Sequence, residues 1–333
     1  MDSVNLSVDA IAELAADCLR RHGCNDENAA AVAAVIAAAE RDGCHSHGLM
    51  RLSGYVAALD SDKVNGNAKP NVERLAPAVL RVDGDSGFAP LALAHGRGPL
   101  IESASKNGIA SLALVNIHHF AALWGEVELV AEAGLCAFAC TSYKPAVIPA
   151  GGNKALYGTN PIAFGWPREP GPPMVFDQAS SVMARGEVML AAREGHELPP
   201  GVGVDAAGEP STDPDEVLKG ALLAFGGYKG SSIAMMVELL AGGLIGESFS
   251  FEAEIRDNND GGPPQGGELM IAMDPNLFGD NDGWAAHCER LFAEINAQDG
   301  ARLPGDRRYA NRARALQSGV QVSASDYEKI SKL

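Results

Sequence analysis

The chain of 333 residues carries 26 Lys and Arg against 43 Asp and Glu, a formal charge of −17, with 46% hydrophobic residues. This length and composition exclude a disordered chain or a staple-dependent miniprotein and leave room for two or three domains around a large core. The charge excludes nucleic acid or an anionic membrane surface as the main partner, because the whole-chain field repels phosphate; an anionic ligand needs a local basic site.

In chain order, Val8, Ile11, Leu14, Ala15, Cys18 and Leu19 recur at helical spacing behind Ser7 as N-cap, and Gly23 marks the stop. Asn25 caps a second helix whose run Ala29–Ala39 is rich in small apolar residues and suited to close helix packing. It delivers the chain to Arg41-Asp42-Gly43-Cys44-His45-Ser46-His47-Gly48, followed by a helical stretch around Met50–Leu59. Short apolar runs bounded by Gly, Pro, Asn or Asp then predict strands at Val79–Val82, Leu112–Ile117, Leu135–Cys140, Pro161–Phe164, Met174–Phe176 and Leu269–Met273. Helical segments are expected near Pro90–Lys106, Phe120–Ala133 and Ser231–Leu244, giving a mixed α/β order without strict βαβ alternation. His196–Asp215 and Ile255–Gly267 read as long loops, and the tail returns to helix through Arg307–Leu316 and Tyr327–Leu333.

The six cysteines, Cys18, Cys24, Cys44, Cys136, Cys140 and Cys288, lack Cys-x-x-Cys spacing, which predicts reduced thiols. With no signal-peptide pattern at the start and no apolar run long enough for a bilayer, a cytoplasmic protein is expected.

No Gly-x-Gly-x-x-Gly stands at a strand-to-helix turn, which disfavours a Rossmann domain, and Gly226-Gly227-Tyr228-Lys229-Gly230-Ser231 has the wrong order for a phosphate loop. That segment precedes an apolar helix, so its N–H groups and Lys229 are placed either to hold an anion or to form a plain turn. His45-Ser46-His47 admits three chemistries. Metal ligation would join His45 and His47 to His118 and His119, but no carboxylate stands at a recognisable ligand spacing, so no metal is expected. A Ser/His hydrolase pair lacks the nucleophile elbow. A proton-transfer histidine set by the adjacent hydroxyl is simplest. Arg51, four residues after His47, suits the carboxylate of an α-keto or α-imino acid whose neighbouring atom needs a proton.

These motifs carry a resemblance. Arg41-Asp42-Gly43-x-His45-Ser46-His47-Gly48 with Arg51-Leu52, the run His118-His119-Phe120-Ala121-Ala122-Leu123-Trp124, Gly158-Thr159-Asn160-Pro161, Phe176-Asp177, Val204-Asp205-x-x-Gly208-x-Pro210, Gly226-Gly227-x-Lys229-Gly230 and Asp274-Pro275 resemble the type-2 malate/L-lactate dehydrogenase family over nearly the whole chain. The His118–Trp124 run and Arg302-Leu303-Pro304-Gly305-Asp306-Arg307-Arg308-Tyr309 are most similar to its Δ1-piperideine-2-carboxylate/Δ1-pyrroline-2-carboxylate reductase branch.

The resemblance implies an α/β fold with a non-Rossmann NADPH-binding domain on a largely antiparallel sheet, packed with a helical domain from both chain ends. Residues 1–70 with about 300–333 would form the helical domain and about 71–299 the cofactor-binding domain, with a small subdomain near 120–165. It implies a homodimer, with a cyclic imino acid as substrate, reduced to L-proline or L-pipecolate; dehydrogenation of an open-chain 2-hydroxy acid is the alternative. His47 would be the acid, Ser46 and Glu187 its relay partners, Arg51 the carboxylate clamp and Thr159 a second substrate contact. The cofactor, NADPH with NADH weaker, would meet His119, Phe120, Ala121, Ala122 and Leu123; Asp177, Gln178 and Ala179; Tyr228 and Lys229; and Arg302, Leu303, Pro304, Gly305, Asp306, Arg307 and Arg308. Two positions depart from the branch pattern, Glu187 standing for aspartate and Tyr228 for histidine.

Overall fold

The structure is a computed structural model that describes residues 3–279 and 283–333. Strand β1 (Ser3–Leu6) leads into α1 (Val8–Arg21), α2 (Asp26–Arg41) and α3 (Leu52–Asp60). The expected caps are present: Ser7 accepts from the Ala10 N–H and Asn25 from the Asn28 N–H, each satisfying an orphan donor of the first turn. Ile11, Ala15, Cys18 and Leu19 of α1 face Ala29, Val32, Ala33 and Ile36 of α2 in one buried core. Val320, Val322 and Ile330 from the far end of the chain complete that core.

The central layer comprises β2 (Asn71–Ala76), β3 (Val79–Phe88), α4 (Ala89–Asn107), β4 (Ile109–His118), α5 (Trp124–Glu132), β5 (Cys136–Thr141), β6 (Ile162–Trp166) and β7 (Met174–Gln178). There follow α6 (Arg185–Glu194), β8 (Gly203–Val204), β9 (Pro210–Ser211), α7 (Pro214–Lys219), β10 (Ala221–Leu222), α8 (Tyr228–Glu238), α9 (Ser250–Arg256) and β11 (Gln265–Met273). The chain closes with α10 (Trp284–Asn296), α11 (Asp306–Ser318), β12 (Val320–Ser323) and α12 (Ala324–Lys332). All six expected strand runs are strands, whereas the loop expected at 196–215 contains β8 and β9, which form a small separate sheet with β10 in the order β10-β8-β9.

The large sheet has seven strands in the order β2-β3-β4-β11-β5-β6-β7. It is mixed, which corrects the expected largely antiparallel sheet: β3 and β4 run parallel because α4 crosses between them, while the other neighbours pair antiparallel. Late in sequence but central in space, β11 lies between β4 and β5. Leu269 and Met270 on opposite faces of β11 are both buried, which explains the unbroken apolar texture of that run. β12 pairs with β1, so the two ends of the chain meet.

Candidate functional site

A cavity of about 520 Å³ opens where the N-terminal helices meet the sheet. His47 and Arg51 reach it from two consecutive 3₁₀ turns, His45–His47 and Leu49–Arg51, rather than from one regular helix. Glu40, buried at the end of α2, shapes these turns by accepting from the Leu49 N–H at 2.8 Å and from His45 Nδ1 at 2.6 Å. His45 is thereby a partner of Glu40, and that hydrogen bond raises its pKa above the ordinary value.

Ser46 Oγ lies 3.1 Å from His47 Nδ1, and Arg51 Nε donates to the Ser46 carbonyl at 2.7 Å. The Arg51 guanidinium also sits 4.5 Å above the Phe120 ring, a cation–π contact that fixes its plane. Gly186, at the start of α6, permits this assembly: a Cβ there would lie 2.7 Å from Arg51 Nη2 and 3.2 Å from the Ser46 Cβ. His47 lines the cavity half-buried, and loss of hydration there, then the positive charge of Arg51, push its pKa down to about 3. It is therefore a neutral imidazole in the ligand-free protein.

Of the expected residues, the cavity gathers His47, Arg51, Thr159, His119, Phe120, Ala121, Ala122, Leu123, Asp177 and Ala179. Asp177 also accepts from the Trp124 N–H at 3.0 Å, so it caps α5 as well as lining the wall. Gln178 points to solvent, and Tyr228 lines a separate cavity of about 660 Å³ with Gly226 and Gly227, next to an exposed Lys229. The 302–308 loop lies outside the first cavity, but Arg308 hydrogen-bonds the Val175 carbonyl and stacks on Trp124, which brings its charge to Asp177. Arg302 and Arg307 are exposed and without an acidic partner among the described residues.

Glu187, expected as a relay partner, is placed apart from Ser46 and His47. Its neighbour Gly186 faces Ser46, so the next residue, about 100° further round α6, turns outward and is exposed. No hydrogen bond joins it to Ser46 or His47. The four histidines weighed as a metal set are also parted, since His45 pairs with Glu40 and His118 Nδ1 with the Pro263 carbonyl at 3.1 Å. Sequence reasoning missed Tyr143, Lys144 and Arg185, which line the cavity, and Glu126 and Glu268, which lie behind His119. A signal existed for Glu268 alone, a single carboxylate heading an otherwise apolar strand.

The malate/L-lactate dehydrogenase family model matches residues 6–331. A Δ1-pyrroline-2-carboxylate reductase of Ancylobacter novellus is 48% identical over 334 residues, covering 100% of this chain and 98% of that protein. A Δ1-pyrroline-2-carboxylate/Δ1-piperideine-2-carboxylate reductase of Pseudomonas aeruginosa is 47% identical over 321 residues, with 96% of each chain covered. The crystal structure of Δ1-piperideine-2-carboxylate reductase from Pseudomonas syringae pv. tomato superposes with a TM-score of 0.94 at 44% identity, over 99% of both chains. With its fold, its histidine turn and these full-length likenesses in agreement, the chain belongs to the malate/L-lactate dehydrogenase family.

Proposed function

We propose that this chain reduces the C=N bond of cyclic imino acids, Δ1-pyrroline-2-carboxylate or Δ1-piperideine-2-carboxylate, with NADPH, giving L-proline or L-pipecolate. The observation that carries this reading is the grouping of His47, braced by Ser46, with Arg51 and Thr159 around one cavity whose other wall is His119–Leu123. The names of the full-length relatives point to the same substrate class.

The residues fit a nicotinamide dinucleotide phosphate. Arg302 and Arg307 are exposed guanidinium groups without an acidic partner among the described residues, and Arg308 Nε is buried without a hydrogen-bond partner, at the Asp177 end of the cavity. This is the local basic site that a chain of charge −17 needs for an anion. The bound cofactor supplies hydride at the substrate's C2. In this reading its binding region lies outside the doubly wound Rossmann class. Tyr228 and Lys229 are assigned to a more distant part of the same ligand.

Arg51 holds the substrate carboxylate, which sets C2 and the ring nitrogen against the opposite wall. Neutralising Arg51 removes one of the charges that keep His47 deprotonated, so carboxylate binding draws a proton onto the imidazole. His47 then donates it to the ring nitrogen, and Ser46 Oγ accepts from the Nδ1–H of the transient imidazolium.

We further propose a homodimer. Tyr228, Met235, Leu239, Leu244, Phe251 and Ile255 form an exposed apolar surface on α8, α9 and the turn between them, Ile255 being 80% exposed. Among the described residues no helix is long and apolar enough to cross a membrane. The free cysteines support a cytoplasmic setting.

The test is NADPH oxidation by purified protein offered Δ1-pyrroline-2-carboxylate, Δ1-piperideine-2-carboxylate, pyruvate and oxaloacetate in parallel, each repeated with NADH. Turnover of the cyclic imines with the keto acids far behind supports the proposal. Preference for a keto acid transfers the site to an open-chain 2-hydroxy acid, and sedimentation of wild type against Ile255→Asp tests the dimer.

A further inference from the structure

Behind the cavity wall lies a buried group that neither the fold nor the proton transfer uses. Just beyond β4, His119 Nε2 lies 2.7 Å from Glu126 Oε1, and Glu268 Oε2 lies 3.5 Å from the same nitrogen. Glu268 is wholly buried, Glu126 is 6% exposed and His119 is 9% exposed. Oε2 of Glu126 and both oxygens of Glu268 are enclosed without a hydrogen-bond partner among the described residues.

Two carboxylates this close cannot both ionise out of water. The groups facing them are His119, Arg97 of α4 and Asp177 of β7. Burial, then the charge of Glu126, raises Glu268 well above the usual carboxylate range, while burial lifts Glu126 to about 7. Burial keeps His119 below its ordinary value, hence neutral. Its Nδ1 has no hydrogen-bond partner among the described residues and, unlike the free glutamate oxygens, is not sealed from the cavity that the ring lines.

We propose that Glu268 holds a proton, Glu126 holds the negative charge, and the two are positioning residues that lock His119 as its Nε2–H tautomer, leaving Nδ1 as a standing hydrogen-bond acceptor on the cavity wall. The ligand group that suits such an acceptor is a primary amide N–H. On the nicotinamide reading above, on which this step rests, that group is the carboxamide. It is borne on the carbon next to the hydride donor, so it comes to the same end of the cavity as His47. The three donor atoms lie within 4.8 Å of one another, a spacing a metal ion would also accept. Arg97 offsets one negative charge and a proton the other, so the cluster is balanced without a metal.

The lock is tested without turnover by the ring ¹⁵N spectrum of the ligand-free protein, His119 being identified by the signals lost in His119→Phe. The expected result is a neutral ring protonated at Nε2 in the wild type and in Glu268→Gln, which copies the protonated acid. An Nδ1–H ring or an imidazolium at neutral pH overturns the proposal, as does near-stoichiometric divalent metal in protein purified without chelator. The acceptor role is tested by fluorescence titration with NADPH and its 3-acetylpyridine analogue, which lacks the amide N–H. Wild type and Glu268→Gln are expected to favour NADPH by roughly 2- to 10-fold, and His119→Phe to lose that preference. Equal affinity of the wild type for the two overturns the acceptor role. Failure to bind either nucleotide refutes the nicotinamide reading instead, and the ring spectrum still decides the tautomer.

Discussion

Asp42 and Glu268 are both carboxylates removed from water, yet the protein treats them in opposite ways. Asp42, between α2 and the histidine turn, receives Arg41 Nε at 2.6 Å and Arg312 Nε at 3.0 Å, and Arg312 goes on to Glu128 at 2.8 Å. Its charge is fully met, and the network ties α11 to the end of α2. Glu268 has no hydrogen bond to either oxygen among the described residues and stands behind the cavity wall. Satisfied burial here marks a structural tie, and unsatisfied burial marks a place organised for chemistry.

The comparison can be broken at either end. The largest expected effect is at the site: His47→Ala reduces turnover by about 100-fold or more with thermal stability kept, measured by steady-state kinetics beside calorimetry. At the tie the pattern reverses. Arg312→Ala leaves Glu128 buried without its cation and Asp42 with Arg41 alone, and costs about 3–5 kcal/mol of stability in a denaturant titration, while the surviving folded enzyme keeps its KM. Arg51→Ala, which removes the proposed carboxylate clamp, raises KM by an amount equivalent to about 1.5–3 kcal/mol with a smaller change in kcat.

A gentler probe is pH. Because the folded protein holds Glu126 at about 7 against an ordinary 4.5, protonation favours the native state. The stability this group contributes is complete below 4.5 and falls as pH rises to about 7. Glu126→Gln flattens that part of the stability profile, and an unchanged profile would show Glu126 to be an ordinary ionised carboxylate. The smallest effect is expected from Glu187→Gln, within about 2-fold of wild-type turnover, since this exposed side chain does not reach Ser46. A loss comparable to that of His47→Ala would restore it to the relay.

The sequence made visible whatever is local. Ser7 and Asn25 announced two helix starts, and the run Leu112–Ile117 is a strand because its apolar residues are buried on both faces of the sheet. His47 and Arg51 were legible because both lie on one short segment. The helix expected from Phe120 starts only at Trp124, because Phe120–Leu123 are used as cavity wall and Asp177 caps the helix from 53 residues away. The parallel β3–β4 pair, the return of β11 to the sheet centre and the meeting of Glu126 with Glu268 are long-range events without a local pattern. The direction of Glu187 was hidden for a related reason: spacing along the chain says that it follows Gly186, but only the packing of Gly186 against Ser46 decides which way it turns.

The pairing of β1 with β12 also sets an order of assembly. The core beneath the N-terminal helices includes Val320, Val322 and Ile330, so it cannot close until residues 320–330 have left the ribosome. The seven-stranded sheet, complete by Met273, has all its strands available earlier. The segment bearing His47 is made early but becomes packed last, and a nascent chain halted before residue 320 would carry a finished sheet beside an open, apolar pair of helices.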